Sequence, residues 1–300
     1  AEELTRDFTG SSLKAVSVTK KPLTRRPPAP FTTSTFTQAA NSRLNMSPSI
    51  AMNAAQNLYQ KGYITYMRTD SSTVSSEGLG ASRSIIEERF GGRYLLDSPR
   101  FYAAKKGVKT QEAHEAIRPS GRPFKTPEQV AKEVSPAEAK VYEMIWQRTV
   151  ASQMPDYVGE TTKVLLEPAD NNETQLVFTA SGTVVVELGF RKIWNQETNE
   201  ENIDDSETTL PGLQESDEVV IKEIISKERE TKPPNRFSEA TLIKELEDRG
   251  IGRPSTFAST VKTIQDRDYV WKKGSALVPT LAAFAVTELV KTHFPKLIDF

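Results

Sequence analysis

The sequence predicts a multidomain, mixed α/β chain in three parts. A β-rich domain is split across residues 1–29 and 154–232, a mostly helical domain spans 30–153, and a smaller helical, winged-helix-like unit starts at 233. Three observations lead there. The proline-rich, basic stretch "KKPLTRRPPAP" at 20–30 reads as a stiff connector, and the prolines of "TKPPN" at 231–235 mark a second boundary. Capped, helix-periodic segments fill the region between the first connector and residue 154, whereas β-branched runs separated by turn residues follow it. Charge divides along the same lines, because Lys and Arg minus Asp and Glu give +3 for 1–30, +5 for 31–124, 0 for 125–153, −11 for 154–232 and +2 for 233–300.

Each element has its own signal. In "SPSIAMNAAQNLYQKG" (47–62), Ser47 caps a helix with Pro48 at its first position, Ile50, Ala51, Ala54 and Leu58 recur at helical spacing, and Gly62 closes it. The next stretch, "YITYMRTDSS" (63–72), begins as a short strand over 63–67. A second helix fits "SEGLGASRSIIEERF" (76–90) and ends at Gly91 and Gly92. A third follows the capping box Ser135–Pro136–Glu138, with Val141, Ile145 and Val150 as its apolar stripe. Beyond 155, "ETTKVLLE", "TQLVFTA", "TVVVEL" and "EVVIKEII" read as separate strands, with Ala180-Ser181-Gly182 as one turn and "NQETNEENIDDSET" as an acidic loop. From 238, two helices joined by "GIGRP", a hairpin "YVWKKGSALVPT" and a helix "LAAFAVTELVKTHF" make the winged-helix-like pattern.

Composition removes several chemistries. With no cysteine there are no disulfides, thiol nucleophiles or cysteine-ligated zinc, and two histidines, His114 and His293, leave little for a histidine metal site. The carboxylates Glu200 to Glu207 crowd a polar loop rather than a scaffold, so no metal site is read there. No apolar run reaches the length of a membrane span. The chain therefore reads as cytoplasmic with no membrane partner, and an anionic ligand suits the basic parts rather than 154–232.

Three constellations concentrate anion-handling groups. A strand at 63–67 places Tyr66 and Arg68 on one face and Thr65 and Met67 on the other. An ordinary phenol, with a pKa of about 10, is a weak nucleophile unless a base or cation favours its phenolate, and a guanidinium is suited to a phosphate oxygen. The plainer alternative makes Tyr66 a half-buried aromatic and pairs Arg68 with Asp70. In "QEAHEAIRPSGRP" (111–123), a helical turn puts His114 and Arg118 together as an anion cradle; the alternative is a core histidine and a surface ion pair. In "GIGRPSTFASTVKTIQDR" (250–267), Ser255 caps a helix whose first turn, with Arg253, Ser255 and Thr256, forms an anion site, and Arg267 lies at its far end.

These stretches, in this order, resemble the bacterial topoisomerase I branch of the type IA DNA topoisomerases. "GYITYMRTDS" is similar to the family's active-site tyrosine motif, "QEAHEAIRPS" to its histidine segment and "FSEATLIKELEDRGIGRPSTFASTVKTIQDRDYV" to its DNA-contacting helix-turn-helix segment. "PAPFTTSTFTQAA" (28–40) resembles the start of its mobile domain, and Met67 matches the topoisomerase I branch where the topoisomerase III branch has proline. The resemblance implies part of a toroidal fold: a β-rich arch, a tyrosine-bearing helical domain and part of a helical DNA-binding domain. It implies ATP-independent relaxation of negatively supercoiled DNA through a 5′-phosphotyrosine link, with Tyr66 as nucleophile and Arg68 and His114 on the scissile phosphate. Thr65, Asp70, Glu115, Arg118, Arg253, Ser255, Thr256 and Arg267 would contact or support the single-stranded DNA, and the enzyme would act as a monomer in the bacterial nucleoid. The family's Mg²⁺ is expected in an acidic Toprim cluster. No D-x-D-x-E occurs here, so the chain is expected to be a fragment that holds no metal and is incompetent for relaxation alone. The competing reading is a non-catalytic winged-helix-like module that binds duplex DNA.

Overall fold

The computed structural model describes residues 8–102, 114–169, 176–195, 210–228, 230–231 and 233–298. The acidic loop from Gln196 onward, including Glu200 to Glu207, lies outside them. Two compact units emerge: 1–26 with 156–233, and 27–155 with 234–300. The first contains most of the expected split β-rich domain. The second contains the expected helical domain together with the winged-helix-like pattern.

The first unit is an antiparallel sheet in the order β3-β2-β1-β4, from β1 (Ser12–Arg25), β2 (Tyr157–Pro168), β3 (Phe178–Glu187) and β4 (Glu218–Val220). β1 pairs with β2 from Leu13 opposite Pro168 to Arg25 opposite Tyr157, with a bulge between Ala15 and Ser17. Two expectations fail here. Residues 20–25 of the supposed connector are strand, because they pair along β2. Ala180-Ser181-Gly182 is no turn either: Gly182 sits opposite Thr162, so the runs on either side are one strand. Leu13, Ala15, Val164 and Leu166 form the buried core of this sheet, and Val18, Phe178, Ala180, Leu213, Val219 and Ile221 pack against it.

The second unit is built on helices α1 (Thr33–Leu44), α2 (Pro48–Gln60), α3 (Ser76–Phe90), α4 (Pro136–Ala151), α5 (Glu239–Asp248), α6 (Phe257–Asp266) and α7 (Leu281–His293). A hairpin of β5 (Val270–Lys273) and β6 (Ala276–Pro279) lies between α6 and α7. Side-chain caps start most of these helices: Ser47 accepts from Ile50 N, Ser75 from Gly78 N, and Ser135 from Glu138 N. The stripe Val141, Ile145 and Val150 is buried as expected. Helix α1 has no forecast in the sequence pattern. It buries Thr33, Ser34 and Thr37 beside Phe36 and Ala40, so no apolar stripe announces it. α1 packs on α5, with Ser34 Oγ donating to Glu247 Oε2 at 2.7 Å, and α2 packs on α6. No helix among the described residues is long and apolar enough to cross a membrane.

Candidate active site

The segment 62–75 leaves α2 through Gly62, whose φ of +76° suits glycine, and runs to the cap of α3. It is extended but forms no strand: of 63–67 only Ile64 makes a bridge, to Pro119. Alternation nonetheless holds from 66 onward. Met67, Thr69 and Ser71 are buried, Tyr66 and Asp70 are half-buried, and Arg68 is exposed. The start of α1 imposes this conformation. Thr33 N donates to Thr69 O (2.9 Å), Thr33 Oγ1 donates to Met67 O (2.7 Å) and accepts from Thr69 N (2.8 Å). A strand-like face therefore forms without a sheet.

Alongside runs a second extended segment, 114–120. The helical turn expected for His114 to Arg118 is absent, as suits a residue preceding Pro119, where the α region is disfavoured. Ala116 N donates to Thr73 O (2.7 Å), Ile117 N to Phe31 O (2.8 Å), Thr65 N to Arg118 O (2.9 Å) and Ser120 N to Tyr63 O (2.9 Å). Thr65 Oγ1 donates to Ala116 O (2.7 Å) and accepts from Arg118 N (3.0 Å), so it ties the two segments together. Residues 111–113 of the histidine motif lie outside the described residues.

This pairing brings the Tyr66 and His114 rings to 5.3 Å between centroids, inclined at 51°. Tyr66 also meets Tyr59 in a T-shaped contact, with ring centroids again 5.3 Å apart. Tyr63, three residues earlier, is engaged differently. Its hydroxyl donates to Glu133, which raises the phenol above its ordinary value, and Lys125 Nζ sits 5.1 Å over its ring. Of the two tyrosines in the motif, Tyr66 is the one placed beside a histidine and an exposed arginine.

Arg118 is not a surface cation. It is 5% exposed and forks onto Glu115 through Nε to Oε2 (2.8 Å) and Nη2 to Oε1 (2.7 Å). Nη2 also donates to Ser75 Oγ (3.1 Å) and Nη1 to Pro119 O (2.7 Å). Burial pushes the Glu115 carboxyl up, but hydrogen bonds from Arg118 and Ser75 and the guanidinium charge outweigh it and hold the group below its ordinary value. Glu115 and Arg118 thus clamp the histidine segment to the N-terminus of α3. Sequence reasoning missed the partners of this clamp, Ser75 and Gly78. A Cβ on Gly78 would stand 2.7 Å from Arg118 Nε and 2.8 Å from Cδ, and a glycine in the first turn of a helix was the available signal.

The third constellation forms at the start of α6. Arg253, Ser255, Thr256 and Arg267 are all exposed, the first three at this turn and Arg267 at the C-cap of α6, so the helix separates Arg267 from the other three. The cap expected at Ser255 falls one residue later, at Thr256, which makes no side-chain cap bond; its hydroxyl instead accepts from Arg253 N at 2.9 Å. Gly252, at φ +81°, permits this turn, since a Cβ there would meet Thr256 Oγ1 at 3.1 Å. Because α6 packs on α2, which carries Tyr59, this turn belongs to the same unit as Tyr66. Among the described residues no three His, Cys, Asp or Glu side chains are arranged to hold a metal ion. These described residues do not fit a Mg²⁺ site.

Residues 1–300 match the family model described as DNA topoisomerase. The chain is 47% identical over 294 residues to DNA topoisomerase 1 of Mycolicibacterium smegmatis, covering 97% of this chain and 31% of that protein. It is 46% identical over 287 residues to the Streptomyces coelicolor protein of the same name, covering 95% of this chain and 30% of the relative. Full-length topoisomerase I from Thermotoga maritima superposes with a TM-score of 0.80 at 34% identity, over 98% of this chain and 47% of that one. The chain thus spans about a third of the length of the curated relatives it matches. Taken with the tyrosine, histidine and helix-turn-helix segments in family order, these matches place the chain in the bacterial topoisomerase I branch of the type IA DNA topoisomerases.

Proposed function

We propose that this chain supplies the nucleophile and part of the strand-holding surface for single-strand DNA cleavage and resealing in a type IA topoisomerase, relaxing negatively supercoiled DNA without ATP. One observation supports this most: Tyr66 stands 5.3 Å, ring to ring, from His114 while Arg68 of the same extended segment is exposed. The Tyr66 Oη attacks phosphorus as its proton passes to solvent water. The P–O3′ bond breaks with its electron pair on O3′, which takes a proton from a general acid, by the family resemblance a glutamic acid outside these 300 residues. A 5′-phosphotyrosine link and a free 3′-hydroxyl result. Resealing reverses each step, because the ester retains the energy of the broken bond.

Arg68 and His114 stabilise the charge that develops on the phosphate oxygens. Thr65, Glu115 and Arg118 act behind them by fixing the two segments, since their polar groups are engaged within the protein. Arg253, Ser255, Thr256 and Arg267 hold the flanking strand, and Asp70 shares the open side of the tyrosine segment. The β-rich unit serves as the arch. Mg²⁺ and the general acid belong to the Toprim domain of the complete monomeric enzyme in the bacterial nucleoid, so the 300-residue chain alone is incompetent.

In the longer enzyme containing this region, Tyr66→Phe is expected to abolish relaxation of supercoiled plasmid and covalent trapping of cleaved oligonucleotide, with DNA binding retained. Relaxation surviving in Tyr66→Phe removes the nucleophile assignment. The 300-residue chain should prefer single-stranded to duplex oligonucleotides. A duplex preference favours the competing winged-helix module, in which α5, α6 and the β5–β6 hairpin act without Tyr66.

A further inference from the structure

We propose that Tyr59 is a base-stacking residue of the cleavage site, presenting an aromatic face to the single-stranded nucleotide beside the phosphate that Tyr66 attacks; this rests on the reading of Tyr66 as nucleophile. Tyr59 lies in the last turn of α2, whose buried residues are Pro48, Ala51, Ala54, Ala55 and Leu58. It stands off that face and is 41% exposed, so the helix does not need it as core. Its ring meets Tyr66 at 5.3 Å and 66°, and His114 meets Tyr66 at the same separation. Tyr63 takes no part, because its ring packs against Tyr142 and its hydroxyl is given to Glu133.

A base hangs one sugar away from its phosphate. A nucleotide whose phosphate reaches Tyr66 carries its base one sugar away, and Tyr59 is the partly exposed ring in contact with Tyr66. Arg68, exposed on the tyrosine segment, supplies charge for the backbone of the same nucleotide. Stacking on a tyrosine accepts any base, which suits an enzyme that must act along DNA of arbitrary sequence. The edge-on contact also restricts rotation of the Tyr66 ring, so a base seated on Tyr59 would fix the position of the nucleophile as it binds.

The test uses the longer enzyme and a single-stranded oligonucleotide carrying 2-aminopurine next to the cleavage position. In a Tyr66→Phe background, binding is expected to quench the probe with Tyr59 or Tyr59→Phe present, and to quench it far less with Tyr59→Leu. In the cleavage-competent enzyme, Tyr59→Leu should lower kcat/KM for cleavage about tenfold, mainly through KM, with Tyr59→Phe restoring it. Equal quenching by Tyr59→Leu overturns the stacking role, even if cleavage slows, since the residue then acts only by packing on Tyr66. Cleavage persisting in Tyr66→Phe marks the failure of the nucleophile reading instead.

Discussion

At the scale of single residues, Gly78 shows how the site is held. Glycine in a helix is about 1 kcal/mol worse than alanine, so Gly78→Ala in the first turn of α3 should stabilise an isolated helix. Here the added methyl would meet Arg118 Nε at 2.7 Å, Arg118 Cδ at 2.8 Å and Val74 Cγ1 at 2.8 Å. Arg118 has little room to yield, because it is fastened to Glu115, Ser75 and Pro119. Gly78→Ala is therefore expected to destabilise the protein by about 1–3 kcal/mol, seen as a lower Tm in thermal melts. A Tm raised by the gain in helix propensity removes the clamp argument. Tyr66, Arg68 and His114 are singled out in the sequence by the family motifs rather than by their spacing, and the structure brings the Tyr66 and His114 rings together. The roles of Thr65 and Arg118 are not: spacing alone cannot separate a surface cation on a helical turn from a buried one in an extended chain. Pro119 directly after Arg118 is the clue to the extended form.

At the scale of elements, caps decide what can be read. α2 and α4 begin where Ser47 and Ser135 signal, α3 begins with its helical segment at residue 76 behind a cap, Ser75, that the sequence reading did not name, and each of the three hydroxyls accepts a first-turn N–H. α1, whose cap Thr32 is hidden in a run of hydroxyl residues, and β1 are harder to read. One buries threonine and serine, and the other continues through a basic, proline-containing stretch whose pairing with β2 is non-local. Helix α4 also carries a link to α2. Glu138, 5% exposed, accepts from Lys61 Nζ (2.8 Å), Asn57 Nδ2 (2.9 Å) and Ser135 N (3.0 Å). The bond from Lys61 leads in holding its carboxyl down, to about 2, against the upward push of burial. A carboxyl depressed in the folded state stabilises fully above its unfolded value near 4.5 and loses that contribution as pH falls through the folded value. The predicted window is therefore about pH 4.5 down to 2. Since Lys61 is 45% exposed, screening discounts the link to about 1–2 kcal/mol. Chemical denaturation at pH 7 and pH 3 should show Glu138→Gln destabilised at the first and much closer to the parent protein at the second. An equal deficit at both would assign the loss to packing rather than charge.

At the scale of the whole chain, charge and chemistry divide between the two units. The region 154–232 carries −11, almost all within the first unit, while Tyr66, Arg68, His114 and the Arg253 turn all belong to the second. Net charge near zero conceals this division, and a tally by segment makes it legible in the sequence itself. What the tally cannot show is that 27–155 and 234–300 form one unit, because the contacts of α1 with α5 and α2 with α6 join residues about 200 apart in sequence. The division makes a quantitative demand on DNA binding. Each phosphate neutralised by an arginine on a single strand releases a counterion and adds about 0.7 to the slope of log K against log salt. Arg253→Ala and Arg68→Ala should therefore each lower that slope by about 0.7 when the chain binds a single-stranded oligonucleotide across a KCl series. Lys163→Ala, an exposed cation on β2 of the acidic unit, should leave the slope unchanged. If Lys163→Ala lowers it as much as Arg253→Ala does, the strand contacts both units, and the acidic sheet cannot be the DNA-free part of the molecule.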